Sequence, residues 1–407
     1  MPVYISYNYI IYIYRYPPER VAGRPRVRRF MLRFGIRLLA QRLSSGVPRI
    51  GELSTARAVL LAHKEHGHKM APIDVSACWN KLGRLARDRT EGRWLRDELR
   101  RDAALLAPLL EKTMRQRHEA RPLANAVHGI AAVEKATRFN AGKSAWDGLA
   151  DACLLRLREF NPQELANTVW AYANAGHASA ALFDAVAAEA TPRRLRDFKP
   201  QALANTMWAY AAADVPAAVL FGETHCMERC TALEAAFTRE NKCQLHQWQL
   251  WLEERGSAWP RLPPSLAEQC RTAFTEASGS PSRLQRQVVR VLSALELHPR
   301  EEVCTPQGYS LDAVVSFGGC DVAVEVDGPS HFLGRRPTGA TTLKRRQLRA
   351  AGWALFSVPY WEWNALGGDN ARQRTYLKQG LRRRWQQWKV RKAAIRFDWF
   401  SLGALGF

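Results

Sequence analysis

Two periods divide the chain. Between Ile73 and about Gly256 apolar residues return every three or four positions, the spacing of helices that bury one face. In the segment from Phe160, FNPQELANTVWAYANAG, Leu165, Val169 and Tyr172 form one stripe and Ala166, Trp170 and Ala173 its neighbour. An offset of 38 residues brings in a second copy from Phe198, FKPQALANTMWAYAAAD, with Leu165/Leu203, Asn167/Asn205, Trp170/Trp208 and Tyr172/Tyr210 in register. An earlier copy, RPLANAVHGIAAV, keeps Leu123 and Asn125 and places His128 where the tryptophans fall. A later one, CQLHQWQLWLEERG, keeps Gln244 and Trp251, and IDVSACWNKLGRLA from Ile73 is a weak first copy. Stretches between them, such as SAALFDAVAAEATPRRL, carry a second helix. Helical hairpins of this length bury their faces only against their neighbours, so the pattern predicts a right-handed α-solenoid of about five repeats over residues 56–256.

Past residue 256 the period shortens. Residues 257–305 open on a Pro-, Gly- and Ser-rich stretch and close on the amphipathic helix SRLQRQVVRVLSALEL, and are expected to be a linker with a connecting helix. Leu311 to Phe317 and Val322 to Val326 are β-branched runs on either side of Gly318-Gly319, which predicts a β-hairpin. A basic helix, TTLKRRQLRAAG, and a second strand segment, WALFSVPYWEW, follow, giving an α/β unit over 306–381 and a basic tail over 382–407. Alternation sets Glu325 and Asp327 on one strand face and Val324 and Val326 on the other. Asp312 lies in the partner strand, and the Gly328-Pro329 turn returns His331 to the same end. Three carboxylates crowded there need a positive charge between them.

The run VEVDGPSHF, followed by LKRRQLRAAGW and VPYWEW, resembles the RAP domain, which occurs at the C-terminus of organellar RNA-binding proteins. The resemblance covers roughly residues 306–381 and implies the core of restriction-endonuclease-like nucleases. The 38-residue period and its ANTxWAYA core resemble the octotricopeptide and related repeats that precede RAP domains in organellar proteins of the FAST-kinase-domain-like kind. The expected fold class is therefore α plus α/β: an α-solenoid of helical-hairpin repeats, then a restriction-endonuclease-like α/β RAP domain. The resemblance implies RNA processing, mRNA stability or translation in an organelle, in a ribonucleoprotein setting. The mitochondrial matrix is the first expectation and the chloroplast the alternative. The expected partners are single-stranded organellar RNA and other RNA-processing proteins, with no DNA.

Nucleases of that core hold a divalent ion through an Asp on one strand and the first acid of an acid-x-Lys motif on the next. Asp312 and Glu325 match those two metal-binding acids, but the expected lysine is Asp327. A metal-dependent RNA endonuclease with Mg²⁺ or Mn²⁺ would need His331 as general base or Lys344, on the following helix, as the replacement charge. The substitution favours binding with no cofactor. Endonuclease and protein-interaction scaffold remain the alternatives.

Charge sharpens the choice of partner. The net charge of +22 and pI near 10.1 call for an anion, nucleic acid before membrane. No run of 18 apolar residues is present, so no spanning helix is expected. The eight cysteines are scattered without framework spacing, which suits a reducing compartment. Cys226, Cys230, Cys243 and His246 have the ligand count of a zinc site, although helical repeat structure explains them without metal. Neither a Walker motif nor a kinase glycine loop occurs.

The N-terminus begins MPVYISYNYIIYIYRY, and Met31 offers an alternative start. Between Arg20 and Arg49 there are nine arginines and no acid, with Leu32, Ile36, Leu39 and Leu43 at helical spacing, so residues 1–55 are expected to be a transit peptide. A basic nucleic-acid-binding arm is the alternative. Candidate RNA contacts are Asn125, Asn167 and Asn205 in the repeats, and Arg382, Arg383, Arg384, Trp385, Lys389 and Lys392 in the tail. Arg156, Arg158, Arg193, Arg194 and Arg196 suit phosphate contact. The recurring Trp and Tyr read as core filler.

Overall fold

The computed structural model describes residues 46–137, 139–276 and 281–403, with side chains to residue 390. The expected transit peptide therefore lies largely outside the described residues. Paired helices fill the N-terminal two thirds: α1 (Ala56–His66), α2 (Pro72–Leu85), α3 (Arg89–Arg101), α4 (Ala107–Arg115), α5 (Ala120–Ala136), α6 (Lys143–Leu154), α7 (Pro162–Ala175), α8 (Ala180–Glu189), α9 (Pro200–Ala213), α10 (His225–Ala232), α11 (Arg239–Glu254) and α12 (Pro264–Thr275). Helices α2, α5, α7, α9, α11 and α12 stack side by side as one inner layer. Helices α6, α8 and α10 belong to the layer behind it. Among the described residues no helix is long and apolar enough to cross a membrane.

The repeat is written into this packing. Tyr172 on α7 and Tyr210 on α9 are buried, and their hydroxyls donate to the Trp146 carbonyl on α6 (2.8 Å) and the Phe183 carbonyl on α8 (2.6 Å). The same pairs meet edge to face, Trp146–Tyr172 at 4.9 Å and Phe183–Tyr210 at 5.0 Å between ring centres. Helices α7 and α9 are thereby each keyed to the outer helix before them by one aromatic side chain that is both packed and hydrogen-bonded. The small residues matter too. A Cβ on Gly129 would lie 2.6 Å from the Trp79 backbone, so only glycine lets α5 approach α2 this closely. Helices α7 and α9 both start on Pro and both end on a left-handed residue, Gly176 and Asp214. Asp214 uses its carboxylate to accept from Trp251 Nε1 of α11 (2.8 Å) and from Arg255 at that helix's C-cap (2.9 Å).

The C-terminal unit has a four-stranded sheet in the order β1-β2-β3-β6, from β1 (Arg300–Cys304), β2 (Ser310–Phe317), β3 (Cys320–Asp327) and β6 (Ala354–Pro359), with a two-stranded ribbon of β4 (Phe332–Leu333) and β5 (Arg336–Pro337). The first three strands are antiparallel and β3–β6 is parallel. Gly318 and Gly319 take φ of 59° and 80°, the left-handed pair that a two-residue hairpin turn requires. Helix α13 (Arg283–Ser293) and the long α16 (Asn370–Gly403) cover one sheet face, burying Val288, Leu292, Leu377 and Leu381 against Val315, Val324 and Val326. The crossover helix α14 (Gly339–Ala350) covers the other, and α15 (Tyr360–Ala365) follows β6.

Strand β1 falls inside the span expected to hold only a linker and a connecting helix, the helix being α13. The run REEVC carries too much charge to advertise a strand, and only its pairing with β2 makes it one. Likewise α16 runs without a break through residue 382, where the tail was expected to begin.

Sheet and solenoid are packed together. Leu333 and Leu343 bury themselves in the solenoid's core. Gln347 of α14 donates to the Gln247 carbonyl on α11 (2.7 Å), Tyr309 donates to Gln347 Oε1 (2.7 Å), and Gln247 Nε2 donates to the Tyr309 hydroxyl (3.0 Å). At the start of α14 a Cβ on Gly339 would lie 2.1 Å from the Ala173 carbonyl oxygen of α7. Gly339→Ala is therefore expected to lower the unfolding free energy by about 1–3 kcal/mol through overpacking. Gly328→Ala, with open space around its Cβ and ordinary backbone angles, should be near neutral. Equal urea midpoints for the two variants would contradict the close contact.

Candidate functional site

The face of the sheet beneath α14 carries the acidic residues. Strand parity puts Glu325 and Asp327 on that side while Val324 and Val326 go to the opposite core. Glu325 is 4% and Asp327 2% exposed, so each needs a partner that replaces water. Helix α14 supplies them. Lys344 Nζ donates to Glu325 Oε2 at 2.5 Å and to the Ser310 carbonyl at 2.9 Å. Arg345 Nη2 donates to Asp327 Oδ2 and to Ser357 Oγ, both at 2.6 Å, and Ser357 donates to Asp327 at 2.6 Å. His331 Nδ1 lies 3.1 Å from Asp327 Oδ1. Asp312 Oδ2 instead accepts from the Val326 amide across the hairpin at 2.6 Å.

These contacts split the carboxylates electrostatically. Burial pushes Glu325 up to about 7 against the pull of Lys344, and Asp312 adds to the rise. Burial also raises Asp312, more than the Val326 amide and Lys344 lower it. Asp327 goes the other way: burial alone would raise it, but the hydrogen bonds from His331, Ser357 and Arg345 and the Arg345 charge hold it below the usual value. Glu325 Oε1 and Arg345 Nε are buried with no hydrogen-bond partner.

All five residues proposed for a nuclease are thus brought into one network, but as ion pairs and caps. A divalent ion between Asp312 and Glu325 would have to displace the Val326 amide and Lys344. Among the described residues no group of three or more His, Cys, Asp or Glu is arranged to hold a metal. The residues present do not fit that ion. The zinc quartet is likewise dispersed: Cys226 and Cys230 are core residues, Cys243 Sγ faces the Ala273 carbonyl (3.5 Å), and His246 Nε2 meets the Gln307 carbonyl (2.8 Å).

The RNA candidates separate into two kinds. Asn125, Asn167 and Asn205 are half-buried on successive inner helices, and Asn205 Oδ1 accepts from Gln244 of the next repeat (2.9 Å). Trp208 is buried with Nε1 donating to Gln247 (2.9 Å), and Trp170 stacks beside His128 (5.2 Å) under Lys135 (5.7 Å). Arg156 and Arg158 pair with Glu159 and Glu189, and Arg194 with Glu189 and the Phe160 carbonyl. On α16, Arg382 and Arg383 are exposed and Arg384 half-buried, its Nη1 donating to Gln387 (2.8 Å). Trp385 packs on the hairpin, donating to the Gly318 carbonyl (2.9 Å), and Lys389 Nζ stands 4.3 Å from its ring centre. Lys392 lies on α16 beyond the described side chains.

Sequence reasoning missed Arg345, Ser357 and the Arg346–Glu254 pair. Three consecutive basic residues on one predicted helix were the available signal, since at 100° per residue they cannot share a face.

Residues 324–379 match the family model of the RAP domain, and residues 103–237 match that of the Tbc2 translation factor, N-terminal domain. A stretch of 103 residues is 41% identical to a protein of Oryza sativa subsp. japonica named RAP domain-containing protein, chloroplastic. That stretch is 25% of this chain and 15% of the relative's length.

The cluster predicts a pH dependence. Glu325's folded value of about 7 lies above its ordinary 4.5, so its contribution to stability is full below 4.5 and is lost as pH rises through about 7. Asp327's value is depressed, so its contribution is present above 3.8 and lost as pH falls below that. Glu325→Gln should flatten the loss of stability between pH 5 and 8, leaving the part due to Glu134, which burial also pushes up to about 7. Asp327→Ala, which strands the Arg345 guanidinium, should cost about 3 kcal/mol at pH 7. Urea midpoints across pH read both, and an unchanged wild-type slope in Glu325→Gln would refute the first.

Proposed function

We propose, from the premise that the C-terminal unit is a RAP domain, a nucleic-acid-binding family, that this chain binds single-stranded organellar RNA and acts in its processing, stability or translation. The observation that carries the reading is where charge is spent. The acids of the α/β unit are neutralised internally by α14, whereas Arg382, Arg383 and Lys389 stand exposed on α16 with no carboxylate in ion-pair range among the described residues. A surplus of exposed cations over one helix is the footprint of phosphate contact. The match of the solenoid to a translation factor's N-terminal domain supports translation as the process, and the chloroplastic relative supports the plastid as compartment. Binding without cleavage fits Asp327, which stands where a lysine would be needed and is tied to Arg345.

Crosslinking followed by sequencing of bound RNA from isolated organelles tests the reading directly. In solution, affinity for single-stranded RNA should fall with salt at a log–log slope of about −0.7 per phosphate contacted. Neutralising Arg382, Arg383 and Arg384 together should reduce that slope by about two units. With Mg²⁺ or Mn²⁺ present the RNA should stay intact. Metal-dependent products abolished by Asp312→Asn would establish the endonuclease, and salt-insensitive or absent binding the scaffold. A reporter carrying residues 31–60 should enter plastids or mitochondria and be shortened there; uniform cytosolic fluorescence would return the basic-arm reading.

A further inference from the structure

Strand β6 ends the sheet, so one of its edges is unpaired among the described residues. Beside that edge lies a cavity of about 520 Å³, walled by α14 on one side and α16 on the other. The volume falls within the roughly 300–1,000 Å³ usual for small-ligand sites. Arg345 and Arg349 enter from α14, Arg383 and Arg384 from α16, and Arg335 from the β4–β5 turn. The lining carboxylate is Glu362, and it already accepts from the Tyr376 hydroxyl at 2.7 Å. Asp327 answers Arg345 from behind. Arg335, Arg383 and Arg384 have no carboxylate partner among the described residues. Half-buried Tyr376 supplies an aromatic ring in the same lining, while Phe332 is buried beneath Arg345.

Five guanidiniums converge on one concave site, and those of Arg335, Arg383 and Arg384, without a carboxylate partner among the described residues, repel one another. Protection of a strand edge asks for charge but not for concavity or for arginines from three elements. Guanidinium is the side chain whose planar fork matches phosphate oxygens two at a time. An internal phosphodiester carries one negative charge, while a terminal phosphate brings nearly two to a single point.

We propose that this cavity at the free edge of β6 is a receptor for the phosphorylated 5′ end of a single-stranded RNA. It rests on the RNA-binding reading and adds where the strand terminates. The phosphate sits among Arg335, Arg383 and Arg384, and the first base packs against the half-buried ring of Tyr376. Recognition of the end is then set by the α/β unit, whatever the solenoid contributes along the strand.

The test uses the full chain and two otherwise identical single-stranded RNA oligonucleotides, one with a 5′-monophosphate and one with a 5′-hydroxyl. Affinities are read by fluorescence anisotropy. The 5′-phosphorylated form is expected to bind about tenfold or more tightly, the gain of one or two charge-assisted hydrogen bonds. In Arg383→Gln/Arg384→Gln the ratio of the two affinities should fall to about one. In Arg372→Gln/Arg374→Gln, on the same helix but outside the cavity, the ratio should persist. Adenosine 5′-monophosphate, but not adenosine, should compete with the phosphorylated oligonucleotide. Equal affinities for the two ends overturn this proposal while leaving RNA binding in place. Binding of neither oligonucleotide overturns both readings. A glutamate-rich peptide of equal charge that competes as well as the nucleotide would assign the cavity to an acidic protein partner, and overturns it too.

Discussion

Three successive side chains on α14 tie this protein together. Lys344 reaches Glu325 and the Ser310 carbonyl, Arg345 reaches Asp327 and Ser357, and Arg346 turns away to Glu254 (2.6 Å) and the Ala211 carbonyl (2.6 Å) of the solenoid. An α-helix advances 100° per residue, so the triplet fans over more than half the helix circumference. Two of its charges are spent inside the sheet unit and one on the neighbouring stack. Each acid is more than nine-tenths or nearly so withdrawn from water except through its cation, and removing one member strands a charge that the interior cannot solvate. The helix crossing between β5 and β6 is thereby also the clamp between the two units.

That clamp neutralises the acidic cluster from within the chain. In the nuclease arrangement the strand offers acid and lysine side by side. Here the strand offers two acids, Glu325 and Asp327, and the cations come from a helix. Local neutrality is kept while the positive charge moves off the strand. Lys344 does stand beside Glu325, but its ammonium is also bound to the Ser310 carbonyl, and Asp312 caps a backbone amide. These contacts brace the end of the hairpin.

Much of this was legible in the chain because the relevant information was periodic. Parity alone placed Glu325 and Asp327 opposite Val324 and Val326, the Gly318-Gly319 pair called for a tight turn, and a recurring ANTxWAYA marked the inner helices. What periodicity does not carry is the identity of a distant partner. The strand REEVC was hidden because its edge position tolerates charge. Arg345 was passed over for its neighbour Lys344, since nothing local says which residue of a basic run meets which acid. Trp385 looked like a stacking platform from its place in a basic helix, yet the hairpin turn it covers lies 67 residues earlier. The half-buried asparagines remain intermediate cases: Asn205 spends its carbonyl on the next repeat, which a single repeat's pattern cannot announce.

The docking of the units also constrains how any long ligand is held. Helix α14 lies across the C-terminal ends of α7 and α9, meeting Ala173 and Ala211, and reaches Glu254 at the end of α11. Any binding surfaces proposed on the solenoid and on α16 are therefore fixed relative to each other by packing, not by a tether. A flexible linker would leave the second contact governed by an effective concentration, falling with linker length. Direct packing removes that loss, but it also forbids adjustment, so a strand touching both units must follow one set path. The ion pairs that α14 makes thus also hold the angle between the solenoid and the sheet unit.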